Sequence, residues 1–342
     1  MAPTPEKTLV EQTSAGNSSL SQLLARPLTF LRRSARTAGV LIPLILLWIV
    51  LSIASPVFFT ALNIRNLLLQ SAIVGILAFG STIVLITEEI DLSIGAVEGL
   101  AAVVAAVVII DLGVPWWLGI LIALGVGVGV GLANGLITVV VGVPSFITTL
   151  GMLGLATGFA QKISNGETRS GFPEHYQVLG KQEVIFHVRL PVIIAGVVLI
   201  VLYLMLRHTR LGLNFYAVGG NRRAASLAGL RPGRVKIIAL CISGFCAALG
   251  GVLLSARLDA AASTYGANDL LNAIAAVVIG GTALTGGVGS VIGTAFGVLI
   301  IVSIQNGLIL LNVSPLWTQG FVGGIILLAA VIHRLGAGER TS

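Results

Sequence analysis

The sequence predicts an all-α, polytopic membrane protein with about ten transmembrane helices and an inverted internal repeat, on three observations. Of its 342 residues 56% are hydrophobic and only 10% charged, with a mean hydropathy of +1.02, whereas soluble domains carry ~25% charged residues. The apolar residues gather into stretches long enough to cross a bilayer, since a helix rising ~1.5 Å per residue spans a ~30 Å hydrocarbon core in roughly 20 residues. Basic residues gather outside these stretches, most of them on one side. A net charge of +7 would suggest nucleic acid in a soluble protein. Here the excess sits where the positive-inside rule expects it, which excludes that class.

Residues 1–36 are polar, then basic at Arg26, Arg32, Arg33 and Arg36. They read as a disordered cytoplasmic tail, with a cleaved or twin-Arg signal as the alternative. Apolar stretches follow at 37–57, 67–87, 92–110, 116–140, 144–162, 190–207, 235–256, 268–284, 289–311 and 315–333. Together they make residues 37–333 one transmembrane domain. Starting inside, six spans return the chain to the cytoplasm at the loop 207–236, and four more leave the tail 334–342 inside as well. Fourteen of the 20 Lys and Arg residues then lie on the inner side. The loop 163–189, with mixed charges and Pro173, falls outside the cell or in the periplasm. Trp116, Trp117 and Trp317 mark outer span ends as an interfacial belt would, while Trp48 lies mid-span and reads as packing.

The repeat shows as two pairs of short matches. Asn134-Gly135-Leu136-Ile137 precedes Pro144, and Asn306-Gly307-Leu308-Ile309 precedes Pro315; Gly95-Ala96-x-Glu98 matches Gly266-Ala267-x-Asp269. The copies fall in spans of opposite direction, the arrangement of transporters that alternate access around a central path.

Acids within apolar segments cost ~2.5–3.5 kcal/mol at a helix centre, so Glu88, Glu89, Asp91 and Glu98 need a reason. The first three interrupt the apolar run between spans two and three. Such a break survives at membrane depth only when buried in protein or lining a water-filled cavity. It is either a polar element of a path or gate, or a short inner loop with Asp91 or Ser93 as helix N-cap. Glu98 and Asp269 are joined by the repeat, as are Asn134 and Asn306. Gly280, Gly281, Gly286 and Gly287 lie in a run too rich in glycine for a lipid-facing helix. That run reads as a broken or very short span, used either for movement or for tight packing. The candidates for the path or gate are therefore Glu88, Asp91, Ser93, Glu98, Asn134, Asp269, Gly281, Gly286 and Asn306.

Two cysteines, Cys241 and Cys246, point to different helix faces, and His175, His187, His208 and His333 lie outside the apolar centres, so no metal motif can be built. No Gly-x-x-x-x-Gly-Lys-Ser/Thr occurs, so the chain does not bind and hydrolyse ATP through a P-loop. The loop Arg207–Lys236 carries seven Lys or Arg and no acid. Within it Ala224–Ala228 forms a short helix, with Asn221 as N-cap and Gly229 as C-cap. It serves either as a docking element or as a connector whose arginines hold anionic lipid.

Three ordered motifs, AVGGNRRAASLAGLRPGRVK, EIDLSIGA and AAVVIGGTALTGGVGSVIGTAFGVLIIVSIQNGLILL, together resemble the permease subunit of bacterial ABC importers for monosaccharides of the ribose, xylose and arabinose group. The resemblance runs from about residue 40 to 333. It implies a permease domain in the bacterial inner membrane with both termini cytoplasmic, working as a homodimer or heterodimer. It also implies two cytoplasmic ATPases that hold ATP and Mg, and an extracytoplasmic sugar-binding protein. Gly219, Gly220, Asn221, Arg222, Arg223, Ala224, Ala225, Leu227 and Gly229 would belong to the coupling helix seated in the ATPase. Glu88-Glu89 stands where the family usually has glycines, and Arg222-Arg223 where acidic or neutral residues are common. Importers of branched-chain amino acids or nucleosides, and an ion-coupled transporter, are the other readings.

Overall fold

The computed structural model describes residues 39–314 apart from residue 186, together with Trp317, Gly320, Phe321, Gly323 and Gly324. The tail 1–36, nearly all of the expected tenth span and the tail 334–342 lie outside the described residues. Helix α1 covers Gly39–Ala54 and α2 covers Ala61–Ile86. Helix α3, Ile94–Ala106, runs on as a π-helical turn to Asp111, and α4, Trp116–Leu136, does the same to Val141. Then come α5 (Ser145–Ser164), α6 (Glu174–Lys181), α7 (Leu190–His208), α8 (Arg210–Gly220), α9 (Arg222–Leu227), α10 (Pro232–Leu258), α11 (Asp269–Ile279) and α12 (Val291–Leu310). Among the described residues, six helices are long and apolar enough to cross a membrane: α2, α3, α4, α7, α10 and α12.

Proline starts several of these helices, because its fixed φ suits a first turn that has no partner for an N–H. Pro191 and Pro232 open α7 and α10, and Pro115 and Pro144 precede α4 and α5. Elsewhere hydroxyls cap. Thr209 Oγ1 accepts from Gly212 N in α8, and Ser290 Oγ from Gly293 N in α12.

The core is built on α2 and α10. The apolar window of α2 is 94% buried, against 28% for α4 and 22% for α7, which face outward. The two central helices cross antiparallel. A β-carbon at Gly80 would lie 2.8 Å from that of Cys246, and the Gly250 backbone presses on Leu77. Helix α4 lies on α10 through Gly127, Gly131 and Gly135, one turn apart, and none of the three leaves room for a β-carbon. With no hydrophobic drive between helices inside lipid, this close van der Waals approach is what joins them.

The inverted repeat is visible in the architecture. Helices α2 and α10 start 171 residues apart (61 and 232) and end 172 apart (86 and 258), and α4 and α12 start 175 apart (116 and 291). Helix α10 packs on α3 and α4, and α2 packs on α11 and α12. Each central helix is thus embedded in the opposite half.

Two connectors carry more structure than expected. The segment 163–189 contains α6, whose Tyr176 is fully buried, stacks on Phe172 at 4.2 Å and shares a 2.7 Å hydrogen bond with Ser255 of α10. It also contains strand β1 (Arg169–Ser170), the hairpin strands β2 (Glu183–Ile185) and β3 (Val188–Arg189), and β1 pairs with β4 (Ala260–Ala261) beyond α10. The loop 207–236 contains α8 ahead of the expected short helix. Glycines at 212, 219 and 220 concealed that helix from a composition reading. The eighth stretch is helical only as far as Ile279, which agrees with a broken span.

Candidate functional site

The break after α2 is held by five elements. Thr87 ends the helix, its Oγ1 donating to Val84 O at 2.7 Å, and Glu88 turns the chain at φ +64. The segment then runs unwound to Ser93, so its backbone groups need partners from elsewhere. Helix α5 supplies them. Ile90 N donates to Ser145 Oγ at 3.2 Å, Leu92 N donates to Thr149 Oγ1 at 3.0 Å, and Thr149 Oγ1 donates to Ile90 O at 3.2 Å. The Asp91 carboxylate accepts from Ser93 N at 2.9 Å, Ser93 Oγ at 2.6 Å and Ser243 Oγ of α10 at 2.8 Å. Asn134 Nδ2 of α4 donates to Ser93 Oγ at 2.9 Å. Asp91 is therefore no N-cap, and Ser93, which stands at the cap position, makes no capping bond. Both side chains turn instead to the network between α3, α4 and α10. Beside it Lys236 Nζ donates to Glu89, and both residues are 7% exposed. Five of these partners, Ser145, Thr149, Lys236, Ser243 and Asn63 described below, escape a sequence reading. The one available signal is Ser145 and Thr149, a single turn apart just after Pro144.

The second cluster lies where the repeat halves meet. Gly95 and Gly266 pack backbone to backbone with no room for a β-carbon on either. Glu98 is fully buried, and among the described residues neither carboxylate oxygen has a hydrogen-bond partner. The Glu98 carboxylate lies 2.6 Å from where a β-carbon of Gly266 would stand, three residues before Asp269 opens α11. The two acids matched by sequence are thus neighbours in space. The matched asparagines are not. Asn134 joins Ser93, whereas Asn306 of α12 exchanges hydrogen bonds of 2.8 and 3.0 Å with Asn63 of α2.

The glycine-rich turn after α11 meets the end of α2. Gly287 N donates to Ile86 O at 2.9 Å, and a β-carbon at Gly286 would lie 2.8 Å from Glu88 Cβ and Gly219 O. Gly280 packs against the backbone of Gly293. Gly281 departs from the expectation of close packing: among the described residues nothing lies within 4 Å of its missing β-carbon, and φ +85 is what calls for glycine there.

The basic loop is anchored to this junction. Gly219, at the end of α8, presses on Ile86 O, and Gly220 on Gly287. Gly219 is buried by this contact, whereas Gly220 stays exposed. Helix α9 follows at once, with Asn221 Oδ1 accepting from Ala224 N at 2.9 Å. Gly229 closes it at φ +84, with Leu230 N donating to Ala225 O at 3.1 Å. Ala225 is buried against the chain's own core, while Leu227 is 86% exposed. Arg222, Arg223 and Ala224 are exposed with it. Among the described residues no three His, Cys, Asp or Glu side chains converge as a metal site.

Comparison with known proteins gives concordant matches. The family described as branched-chain amino acid transport system / permease component matches residues 63–331. The chain is 39% identical to the ribose import permease protein RbsC of Escherichia coli (strain K12), over 85% of this chain and 91% of that one. It is 33% identical to the galactose/methyl galactoside import permease protein MglC of the same strain, over 90% and 96% of the two chains. It is 35% identical to that strain's xylose transport system permease protein XylH, over 80% and 85%. No solved structure matches the chain.

Proposed function

This chain belongs to the permease-component family of branched-chain amino acid transport systems, and from that premise we propose that it is the membrane subunit of an ABC importer that passes a monosaccharide inward. ATP is hydrolysed on a separate cytoplasmic ATPase, with Mg bound there, and an extracytoplasmic binding protein delivers the sugar. A second permease subunit completes the path. Both termini and the loop 207–236 face the cytoplasm.

The observation that carries the coupling part of this reading is the continuous contact from α9 to the break. Leu227 projects from a short helix capped at both ends, and α8 ties that helix through Gly219 to the last carbonyl of α2, from which the break starts. A push on α9 therefore reaches Glu88–Ser93, and with it α3, α4, α5 and α10, through packed backbone rather than flexible chain. Sugar is favoured as substrate because the relatives named ribose, galactose and xylose permeases match at 33–39% identity along most of their length. The family description favours branched-chain amino acids as the second reading.

The test is Leu227→Asp in the full importer. Insertion and thermal stability of this chain should match the parent, while sugar uptake and the stimulation of ATP hydrolysis by loaded binding protein fall at least tenfold. Parental uptake by that variant would make α9 a mere connector. Calorimetry of the cognate binding protein with pentoses, hexoses and leucine decides the substrate class.

A further inference from the structure

We infer that Arg222 and Arg223 form a docking seat for an acidic segment of the ATPase subunit, so that assembly is electrostatic as well as apolar. This rests on the coupling reading above and adds the chemistry of the partner surface. The two arginines line an open recess of about 430 Å³ together with Val139, Ser226, Pro232 and Gly233. The recess lies between α9, the first turn of α10 and the π-helical end of α4.

Neither arginine is ion-paired among the described residues. The segment Arg207–Lys236 holds seven basic residues and no acid, and its buried member Lys236 is already taken by Glu89. The recess is thus a concave, positively charged surface that the described residues do not neutralise. Ser226 adds a hydroxyl at its wall, and Leu227, the next residue of α9, is 86% exposed. An exposed leucine flanked by two guanidinium groups is the composition of a protein interface, where arginine is enriched and carboxylates are gripped bidentately. A planar lipid surface would use the charge without filling the recess between α9, α10 and α4, so the occupant is a protruding, carboxylate-bearing segment of the ATPase.

The experiment uses the full chain in phosphatidylcholine nanodiscs and its cognate ATPase subunit, with association measured at ionic strengths of about 0.05 M and about 0.5 M. The parent should bind at least tenfold more weakly at the higher salt. Arg222→Glu/Arg223→Glu should lose at least tenfold at low salt and converge on the parent at high salt, while Arg222→Lys/Arg223→Lys stays within a few-fold of the parent. A cysteine-reactive cross-linker on Ser226→Cys should capture an ATPase peptide rich in Asp and Glu.

Salt-independent binding that survives the charge reversal overturns the proposal while leaving the coupling reading intact, provided Leu227→Asp still uncouples. Unchanged ATPase binding with loss of co-purified phosphatidylglycerol from native membranes overturns it in favour of lipid. Failure of the parent to bind the ATPase at all overturns both.

Discussion

Gly95 and Gly266 hold matching places in the two halves of the chain and touch each other. Each backbone fills the space that a β-carbon of the other would need, and Glu98 leans on the same contact, 2.6 Å from where the β-carbon of Gly266 would stand. The contact is where α3 meets the connector that leads into α11, so it sets the distance between the repeat halves.

Alanine at either glycine overpacks that contact. Gly95→Ala should lower stability by ~1–3 kcal/mol, and Gly266→Ala by more, because its φ of +79 is also lost to an L-residue. Thermal unfolding in detergent checks the order, and uptake should fall with it. Equal, parental melting of both variants would mean that the halves separate freely there.

Glu89 and Lys236 are a buried pair, and losing one partner strands the other. Glu89→Ala and Lys236→Ala should each cost ~3–5 kcal/mol, whereas Glu89→Leu/Lys236→Met, which removes both charges, should regain most of it. A double-mutant cycle on thermal stability reads the coupling directly. Additive single losses would show that the two side chains act independently.

Gly281 and Gly286 should part company despite similar φ. Gly281→Asn has open space and a side chain that tolerates left-handed backbone, so it should retain most uptake. Gly286→Asn would drive its β-carbon into Glu88 and the carbonyl of Gly219, which are backbone-anchored and cannot yield. Expression and uptake of the two variants side by side give the answer, and equal behaviour would contradict the packing at Gly286.

Glu98 should trade stability for transport. Both of its oxygens are buried and unpartnered among the described residues, so Glu98→Met, of similar volume, should raise stability by about 1–3 kcal/mol. If the carboxyl serves the path between the repeat halves, uptake should fall at the same time. A stabilised variant with full uptake would leave Glu98 no role in transport.

Ala225 shows why position along the chain misleads near a surface. It sits two residues from Leu227 in the same short helix, and both look equally fit to face a partner. The turn of α9 sends Ala225 into the core formed with Val235 and Leu240 and leaves Leu227 outside. A charge at Ala225 thus reports on folding rather than docking.

The membrane architecture was legible in the sequence by itself, because a bilayer demands uninterrupted apolar helices whose length and loop charge are local properties. The acids of the break, the short eighth stretch and the caps at Asn221 and Gly229 were legible for the same reason. The offset near 172 residues also announced the repeat, and with it the correspondence of Glu98 and Asp269, though not that the two would meet. Only the tertiary structure decided which polar side chains meet. Asp91 with Ser243, Glu89 with Lys236, and Asn63 with Asn306 lie 152, 147 and 243 residues apart. Such pairs are chosen by how antiparallel α2 and α10 cross and by which glycine faces allow their neighbours to approach. That choice depends on packing between distant segments, which no local pattern records.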